Sequence, residues 1–246
     1  MSTTPTVVLI TGANRGIGKG LVESYLARPD HAIIAAVRDP STAGPLKEIP
    51  VAEGSRLIVV KIDATIQSDA VDVVKELSTK HAINHLDTVI ANAGVCYIYP
   101  TVAEVKIDDM LASLKPNVFG VIYLYQATRE LLNNGANPKW VTIGSVAGSI
   151  EGQLPNPNAA YGPTKAAVHW ITKRINTEEK KITSFVLHPG WVATDMGNVG
   201  AHRLGMKEAP VSIKDSVDGM VKIIDKASKD THGGIFWEYT GEQYPW

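Results

Sequence analysis

Short apolar runs alternate along the chain with longer segments whose apolar residues recur every three or four positions. Residues 7–10, 32–37, 57–62, 86–91, 140–143 and 183–187 have the length and composition of strands, and a last short one is expected near 235–237. The run at 32–37 is unbroken by polar residues, as in a strand covered on both faces. Between the runs, Ile17, Leu21, Val22 and Tyr25 predict a helix over 16–28, and Ala70, Val73, Val74 and Leu77 another over 67–80. A longer helical stretch covers about 105–134, with Met110, Leu111, Leu114, Val118, Val121, Leu124 and Tyr125 at helical spacing; Pro116 inside it should kink or locally break it. Helices are also expected over 160–179 and 212–228. Strands alternating with helices in this way predict an α/β fold: a doubly wound parallel sheet of about seven strands, helices on both faces, as one domain over 1–246. Two stretches carry no pattern, 149–158 and 195–210. Both follow strands, on the side where open α/β sheets bind ligands.

Composition narrows the function classes. The chain has 246 residues, 44% hydrophobic and 20% charged, with a net charge of −1. That balance offers no general attraction to nucleic acid or to an anionic membrane, and neither is expected as a partner. No apolar run approaches the roughly 18 residues of a membrane span. The polar start of the chain lacks a basic segment and leads at once into a strand, unlike a secretory signal. One cysteine, Cys96, excludes an internal disulfide, and a soluble, cytoplasmic protein is expected. Cys96 itself is most simply a small buried hydrophobe. The histidines are scattered and no metal site is expected.

The first strand runs into Thr11-Gly12-Ala13-Asn14-Arg15-Gly16-Ile17-Gly18 and then into a helix. Glycines let a backbone turn tightly and approach a pyrophosphate, and the helix N-terminus supplies free N–H groups and a positive dipole end. A glycine-rich turn in this context predicts a dinucleotide site of Rossmann type. The second strand ends Val37-Arg38, with Val37 where NAD-specific sites place a carboxylate. Arg38 and Arg15 form a guanidinium pair suited to a 2′-phosphate, so NADP(H) is the expected cofactor. Asp39 is placed to pair with Arg38 instead, which leaves two surface arginines as the other reading.

Tyr161 and Lys165, in Tyr161-Gly-Pro-Thr-Lys165, share one helix face. A free phenol has a pKa near ~10, too high for acid/base work at neutral pH, and a neighbouring ammonium lowers it.

The TGxxxGxG spacing followed by YxxxK resembles the short-chain dehydrogenase/reductase family in its single-domain form. The resemblance runs from Thr11 to Thr194 and implies roles for further residues. Asp63 with Ala64 matches the adenine-binding position, although an Asp there is otherwise a helix cap. Asn92-Ala93-Gly94 matches a cofactor-binding motif and otherwise reads as a turn. Ser145, at the end of the fifth strand, corresponds to the serine that orients the substrate oxygen toward the tyrosine. It stands 16 residues before Tyr161, a wider gap than the family's, and Ser149 is a rival for the role. Asn117 matches the residue that holds a water bridging to the lysine, or else is a kink residue beside Pro116. Pro189, Gly190, Val192 and Thr194 match the stretch that holds the nicotinamide carboxamide. By the same resemblance Lys165 binds the nicotinamide ribose. The implied chemistry is hydride transfer to a ketone, with Ser145 and Tyr161 on its oxygen and Tyr161 as general acid.

Gly12–Leu21, Ala52–Arg56, Gln126–Arg129 and Thr194–Gly197 look like segments of fungal norsolorinic acid ketoreductase-type enzymes and of sniffer-like carbonyl reductases. That resemblance implies an aromatic polyketide ketone as substrate. Val95, Cys96, Tyr97, Tyr99, Ile150, Leu154, Trp191, Met196 and Met206 are candidates for an apolar pocket, with Trp191 and Tyr97 able to stack on a planar ring. Each also fits plain core. The glycines of 195–210 suit a lid or a loose surface loop. The aromatic C-terminal segment, 236–246, should pack on the fold or on a second subunit. Family members are commonly dimers or tetramers, through the helices near 105–134 and 160–179. Two alternatives stay open: a cyclase or isomerase keeping NADP as a structural element, and a non-catalytic NADPH sensor.

Overall fold

The computed structural model describes residues 5–246. Its strands are β1 (Thr6–Thr11), β2 (His31–Val37), β3 (Arg56–Lys61), β4 (Thr88–Ala91), β5 (Lys139–Ile143), β6 (Thr183–His188) and β7 (Phe236–Glu238). They form one seven-stranded sheet in the order β3-β2-β1-β4-β5-β6-β7, with every neighbouring pair parallel. The chain starts at the centre, builds outward to β3, then returns to place β4 beside β1. The crevice at that reversal, at the carboxyl ends of β1 and β4, is where such sheets bind ligands.

The unbroken apolar runs have a direct cause. Val8 and Ile10 of β1 pack with Leu21, Val22 and Leu26 of α1 (Gly16–Leu26) and with Val217, Met220 and Ile224 of α8 (Ile213–Lys226). Val7 and Leu9 face the other layer, with Leu77 of α3 (Gln67–His81), Leu124 and Leu132 of α5 (Gly120–Asn134) and Val168 of α6 (Gly162–Glu178). Both faces of the central strands are covered, so apolar residues occupy both sets of alternate positions. Each fully buried Val, Leu or Ile contributes about 1.5–3 kcal/mol, which makes the sheet a rigid platform for the loops at its ends. The short helices α2 (Gly44–Lys47) and α9 (Lys229–His232) lie in connections.

The long helical stretch divides, as Pro116 required. α4 (Ile107–Leu114) passes into a π-helical turn over Lys115–Phe119, in which Gly120 N donates to Lys115 O, and then into α5. Proline has no N–H to continue the ladder, and a wider turn absorbs the loss.

One expectation changes. Residues 195–210 are not patternless: Asp195–Arg203 form α7. Thr194 caps it, its hydroxyl accepting from Gly197 N at 3.1 Å, and Asp195 lies in the first turn where a carboxylate suits the dipole. Of the glycines that disguised this helix, Gly197 is fixed by packing, for a Cβ there would collide with Val192 O. Trp191 Nε1 donates to Gly197 O at 3.0 Å, and a Cβ on Gly200 would stand 3.4 Å from the Tyr99 hydroxyl. After α7 the chain is tied back by Met206 N to Ala201 O at 3.0 Å and by Ala209 N to Asn198 Oδ1 at 2.9 Å.

Candidate active site

A cleft of about 1550 Å³ runs along the carboxyl ends of the strands, from the glycine loop to the 149–158 segment. At one end, β1 stops at Thr11 and Gly12 turns with φ +64°. Gly18 brings α1 against that turn, for a Cβ there would collide with Gly12 O. No side chain caps the N-terminus of α1, so its leading N–H groups are left to the cleft. Gly12, Asn14, Arg15, Gly16, Ile17 and Gly18 all line it.

Thr11 does not. Its side chain is buried and accepts from Asn92 N at 3.1 Å and Ala93 N at 3.0 Å. Asn92 Nδ2 returns a bond to Thr11 O at 2.8 Å. Thr11 and Asn92 therefore fasten the glycine loop to the end of β4, while Asn92, Ala93 and Gly94 also border the cleft. Asp63 and Ala64 border it too, but the Asp63 carboxylate already accepts from Thr65 N at 2.8 Å and Thr65 Oγ1 at 2.7 Å. Those bonds, with Arg38 and Lys61 nearby, outweigh partial burial and hold its acid below the usual range.

The two arginines differ. Arg38 is exposed on the cleft wall and makes no salt bridge with a described carboxylate. Asp39 turns away to Ser41 N at 2.9 Å, so the alternative pairing of Arg38 with Asp39 does not form. Arg15 is paired, Nη1 to Asp195 Oδ2 at 2.8 Å.

At the middle of the cleft stand Ser145, Tyr161 and Lys165. Lys165 Nζ is buried, donates to Ile143 O at 2.7 Å and lies 5.5 Å from the centre of the Tyr161 ring. Burial lowers its pKa to about 8. Burial also dominates at Tyr161 and raises the phenol above its ordinary value, with the nearby Cys96 thiol adding to the rise and the Ser145 side chain opposing it. The ammonium is occupied by a carbonyl rather than by the phenol oxygen. In the chain alone, then, the phenol is held protonated. Ser145 Oγ accepts from Ala147 N at 3.2 Å. Ser149 is buried, donating to Pro245 O at 2.9 Å and accepting from Gly152 N at 2.8 Å, so its hydroxyl is committed elsewhere.

Asn117 does not line the cleft. Its Oδ1 accepts from Val95 N at 2.8 Å, and its Nδ2 donates to Val95 O at 2.9 Å and Thr164 Oγ1 at 3.0 Å. Gly94 is the point of convergence: a Cβ there would lie 3.3 Å from Asn117 Oδ1 and 3.7 Å from Lys165 Nζ.

Pro189, Gly190, Val192 and Thr194 also line the cleft, with the Thr194 side chain close to Gly16 of the glycine loop. Of the apolar candidates, Val95, Cys96, Tyr97, Tyr99, Ile150, Leu154, Trp191 and Met196 line the cleft, and Met206 does not. Arg203 joins them, its guanidinium 5.1 Å over the Tyr99 ring. Sequence reasoning missed His169, whose Nε2 accepts from Ser145 N at 3.3 Å. It lies four residues after Lys165 on α6, so helical spacing was the available signal. It also passed over the H-x-x-x-H spacing of His81 and His85. That pair shares no helix face, because α3 ends at His81 and Ala82 is left-handed, φ 54°. Among the described residues no group of three or more His, Cys, Asp or Glu is placed to hold a metal ion.

A parallel sheet with a glycine loop at its switch point, and a Ser-Tyr-Lys group beside it, defines a dinucleotide-dependent oxidoreductase. The chain belongs to the short chain dehydrogenase family, whose model matches residues 6–203. It is 42% identical over 248 residues to a norsolorinic acid ketoreductase of Dothistroma septosporum, covering 98% of this chain and 92% of that one. Among solved structures, an NADPH-bound carbonyl reductase from chicken fatty liver superposes with a TM-score of 0.86 at 28% identity, covering 99% of this chain and 100% of that one. The carbonyl reductase Sniffer of D. melanogaster gives 0.87 at 25% identity with the same coverage. Enzymes of this family use NAD(P)H and act on small substrates at the C=O/CH–OH level, and this chain is an oxidoreductase of that kind. Among the described residues no helix is long and apolar enough to cross a membrane.

Proposed function

We propose that the chain is an NADPH-dependent ketoreductase acting on a hydrophobic, aromatic polyketide-like ketone, with Tyr161 as general acid. The observation that carries this reading is the convergence of Ser145, Tyr161 and Lys165 on a cleft that continues into the glycine loop. The residues fit the cofactor. The cradle at Gly12 and Gly18 has no room for side chains, the α1 N-terminus is uncapped, and Arg38 is a cation without a partner among the described carboxylates. Gly12, Asn14, Arg15, Gly16, Ile17, Arg38, Asn92, Pro189, Gly190, Val192 and Thr194 are the residues that hold it in this reading, with Arg38 on the 2′-phosphate. When bound, the cofactor supplies the hydride.

The chain's own residues manage the oxygen and the proton. Ser145 and Tyr161 donate to the carbonyl oxygen and stabilise the charge that develops on it. The Tyr161 phenol is protonated at neutral pH, the form a reductase needs. Lys165, a cation below about pH 8, stabilises the phenolate once the proton has left. Asn117 holds the Val95 turn and the start of α6 in place behind them, and a relay through it to Lys165 is part of this reading. The aromatic substrate class is supported by the cleft lining, where Tyr97, Tyr99, Leu154, Trp191 and Met196 offer ring faces and polarisable contacts. It is also supported by the kinship with an enzyme named for norsolorinic acid.

The reading extends to assembly and compartment. Ile107 (69% exposed), Leu111, Phe119 and Trp170 (67% exposed) leave apolar surface on α4, the π turn and α6, and a homo-oligomer, dimer or tetramer, would cover it. Light scattering on the purified protein tests this. The cytoplasm is the compartment we infer.

The central test is NADPH consumption with a panel of aromatic ketones, in parallel with NADH. Turnover with NADPH is expected, and Tyr161→Phe should lower it by about 10²–10⁴ while leaving NADPH binding in place. Near-full reduction by Tyr161→Phe overturns the assignment.

A further inference from the structure

The segment between Ser145 and Tyr161 carries apolar side chains into the solvent at the cleft mouth, Ile150 at 74% and Leu154 at 51% exposure. Such a rim needs support from outside the cleft, because no helix or strand of its own organises residues 150–158. The support comes from the far end of the chain. The Ser149 hydroxyl donates to Pro245 O at 2.9 Å, and Ile150 N and Glu151 N both donate to Trp246 O, at 3.0 and 2.9 Å. Gly152 N closes the turn onto the same Ser149 oxygen. The C-terminal segment is itself held. Tyr244 N donates to Phe236 O at 2.7 Å, the Trp246 ring lies 5.7 Å from Phe236 and 6.1 Å from His169, and Lys173 Nζ stands 4.4 Å over it.

We propose that Ser149 and the Tyr244–Trp246 segment are positioning residues that brace the substrate rim and so set which ketones the cleft accepts. Trp246 is the anchor, pinned on β7 and α6, and its backbone oxygen holds two consecutive rim amides. Ser149 links the brace to the turn that begins the rim. No part of the brace touches the reacting atoms. Its effect falls on the outer part of a large substrate, which reaches Ile150 and Leu154, and little on a small ketone bound only at Ser145 and Tyr161. The proposal rests on the reductase reading for its kinetic consequence, but the brace can be tested without turnover.

The variants are Ser149→Ala, Trp246→Ala and Trp246→Phe. Hydrogen exchange should show faster exchange at Ile150, Glu151 and Gly152 in the two alanine variants, with the sheet amides unchanged and Trp246→Phe close to the parent. In steady-state kinetics with NADPH, the ratio of kcat/KM for a polycyclic ketone over a small aryl ketone should fall about fivefold in each alanine variant, mainly through KM, the weight of roughly one net hydrogen bond. Trp246→Phe should restore most of it. Unchanged rim exchange overturns the brace, whether or not any ketone is reduced. Equal losses on both ketones, following a fall in Tm, overturn its role in specificity and leave only a role in folding. Failure of the parent to reduce any ketone counts against the reductase reading alone, and the exchange result still decides the brace.

Discussion

Arg15 reaches from the glycine loop to Asp195 at the start of α7, Nη1 to Oδ2 at 2.8 Å, with both side chains largely in solvent. The pair joins the two walls of the cofactor end of the cleft. It also occupies one of the two guanidinium groups expected to meet a 2′-phosphate.

An exposed ion pair is worth about 0–1 kcal/mol, too little to hold Arg15 against a doubly charged phosphate. Asp195→Asn should therefore free Arg15 and lower the Kd for NADPH about two- to fivefold at low salt, with NADH unaffected. Fluorescence titration of both cofactors checks this. Equal tightening for NADH would show that Asp195 repels the shared pyrophosphate instead.

Arg38 should matter more, because no described carboxylate forms a salt bridge with it, whereas Arg15 is paired. Charge-assisted hydrogen bonds are worth about 1.5–3 kcal/mol, so Arg38→Ala should raise the NADPH Kd about 10- to 100-fold and leave NADH within roughly twofold. Parallel losses for both cofactors would place Arg38 away from the 2′-phosphate.

Asn117 makes three hydrogen bonds from a buried amide, to both backbone groups of Val95 and to Thr164. Asn117→Ala strands those partners, at about 1–3 kcal/mol for each buried group left unpaired. We expect a clear drop in Tm together with loss of turnover. Asn117→Asp keeps the acceptor for Val95 N but loses both donated bonds, and should fall close to the alanine variant in a thermal melt.

Burial lowers Lys165 to about 8 from a reference of 10.5. Below about pH 8 it is a cation beside Tyr161, and above it the charge is lost. The kcat/KM for ketone reduction should decline above about pH 8, and Lys165→Arg, if it turns over, should lack that limb. The stability consequence has the opposite sense. From about pH 8 to 10.5 the unfolded chain binds the extra proton, so this residue's contribution to stability rises with pH. A pH–rate profile flat through pH 9 would refute the assignment.

His169 and His188 are buried and neutral, held near pKa 3 and 4 by desolvation first and by the Lys165 charge second. Their folded values lie below the unfolded value of 6.5, so the stability they lend is complete above pH 6.5 and lost as pH falls through the folded values. Unfolding free energy should drop with a slope approaching about 1.4 kcal/mol per pH unit for each histidine. Urea melts between pH 7 and 4 measure it, and His188→Asn should flatten the slope.

The sequence alone determined the order of strands and helices, the glycine loop, the Tyr161–Lys165 pair and the break at Pro116. Each of these is written locally. Apolar period, the absence of a Cβ and the missing proline N–H act within a few residues, and no distant contact reverses them. Tertiary structure decided what depends on partners far along the chain. It made α7 a helix despite Gly197 and Gly200, and Gly197 lets the first turn lie against Val192 O, where a Cβ would collide. It gave the side chains of Thr11 and Asn117 partners remote in sequence, the backbone of Asn92 and Ala93 for one and Val95 with Thr164 for the other. It paired Arg15 with Asp195, 180 positions away, and left Arg38 to the cleft. It also set the surroundings of the Tyr161 phenol, whose pKa burial raises, with the Lys165 ammonium beside it bound to Ile143 O. Folding takes the Tyr161 phenol and the Lys165 ammonium out of water and shifts both, and that loss of water follows from the packing of the whole chain.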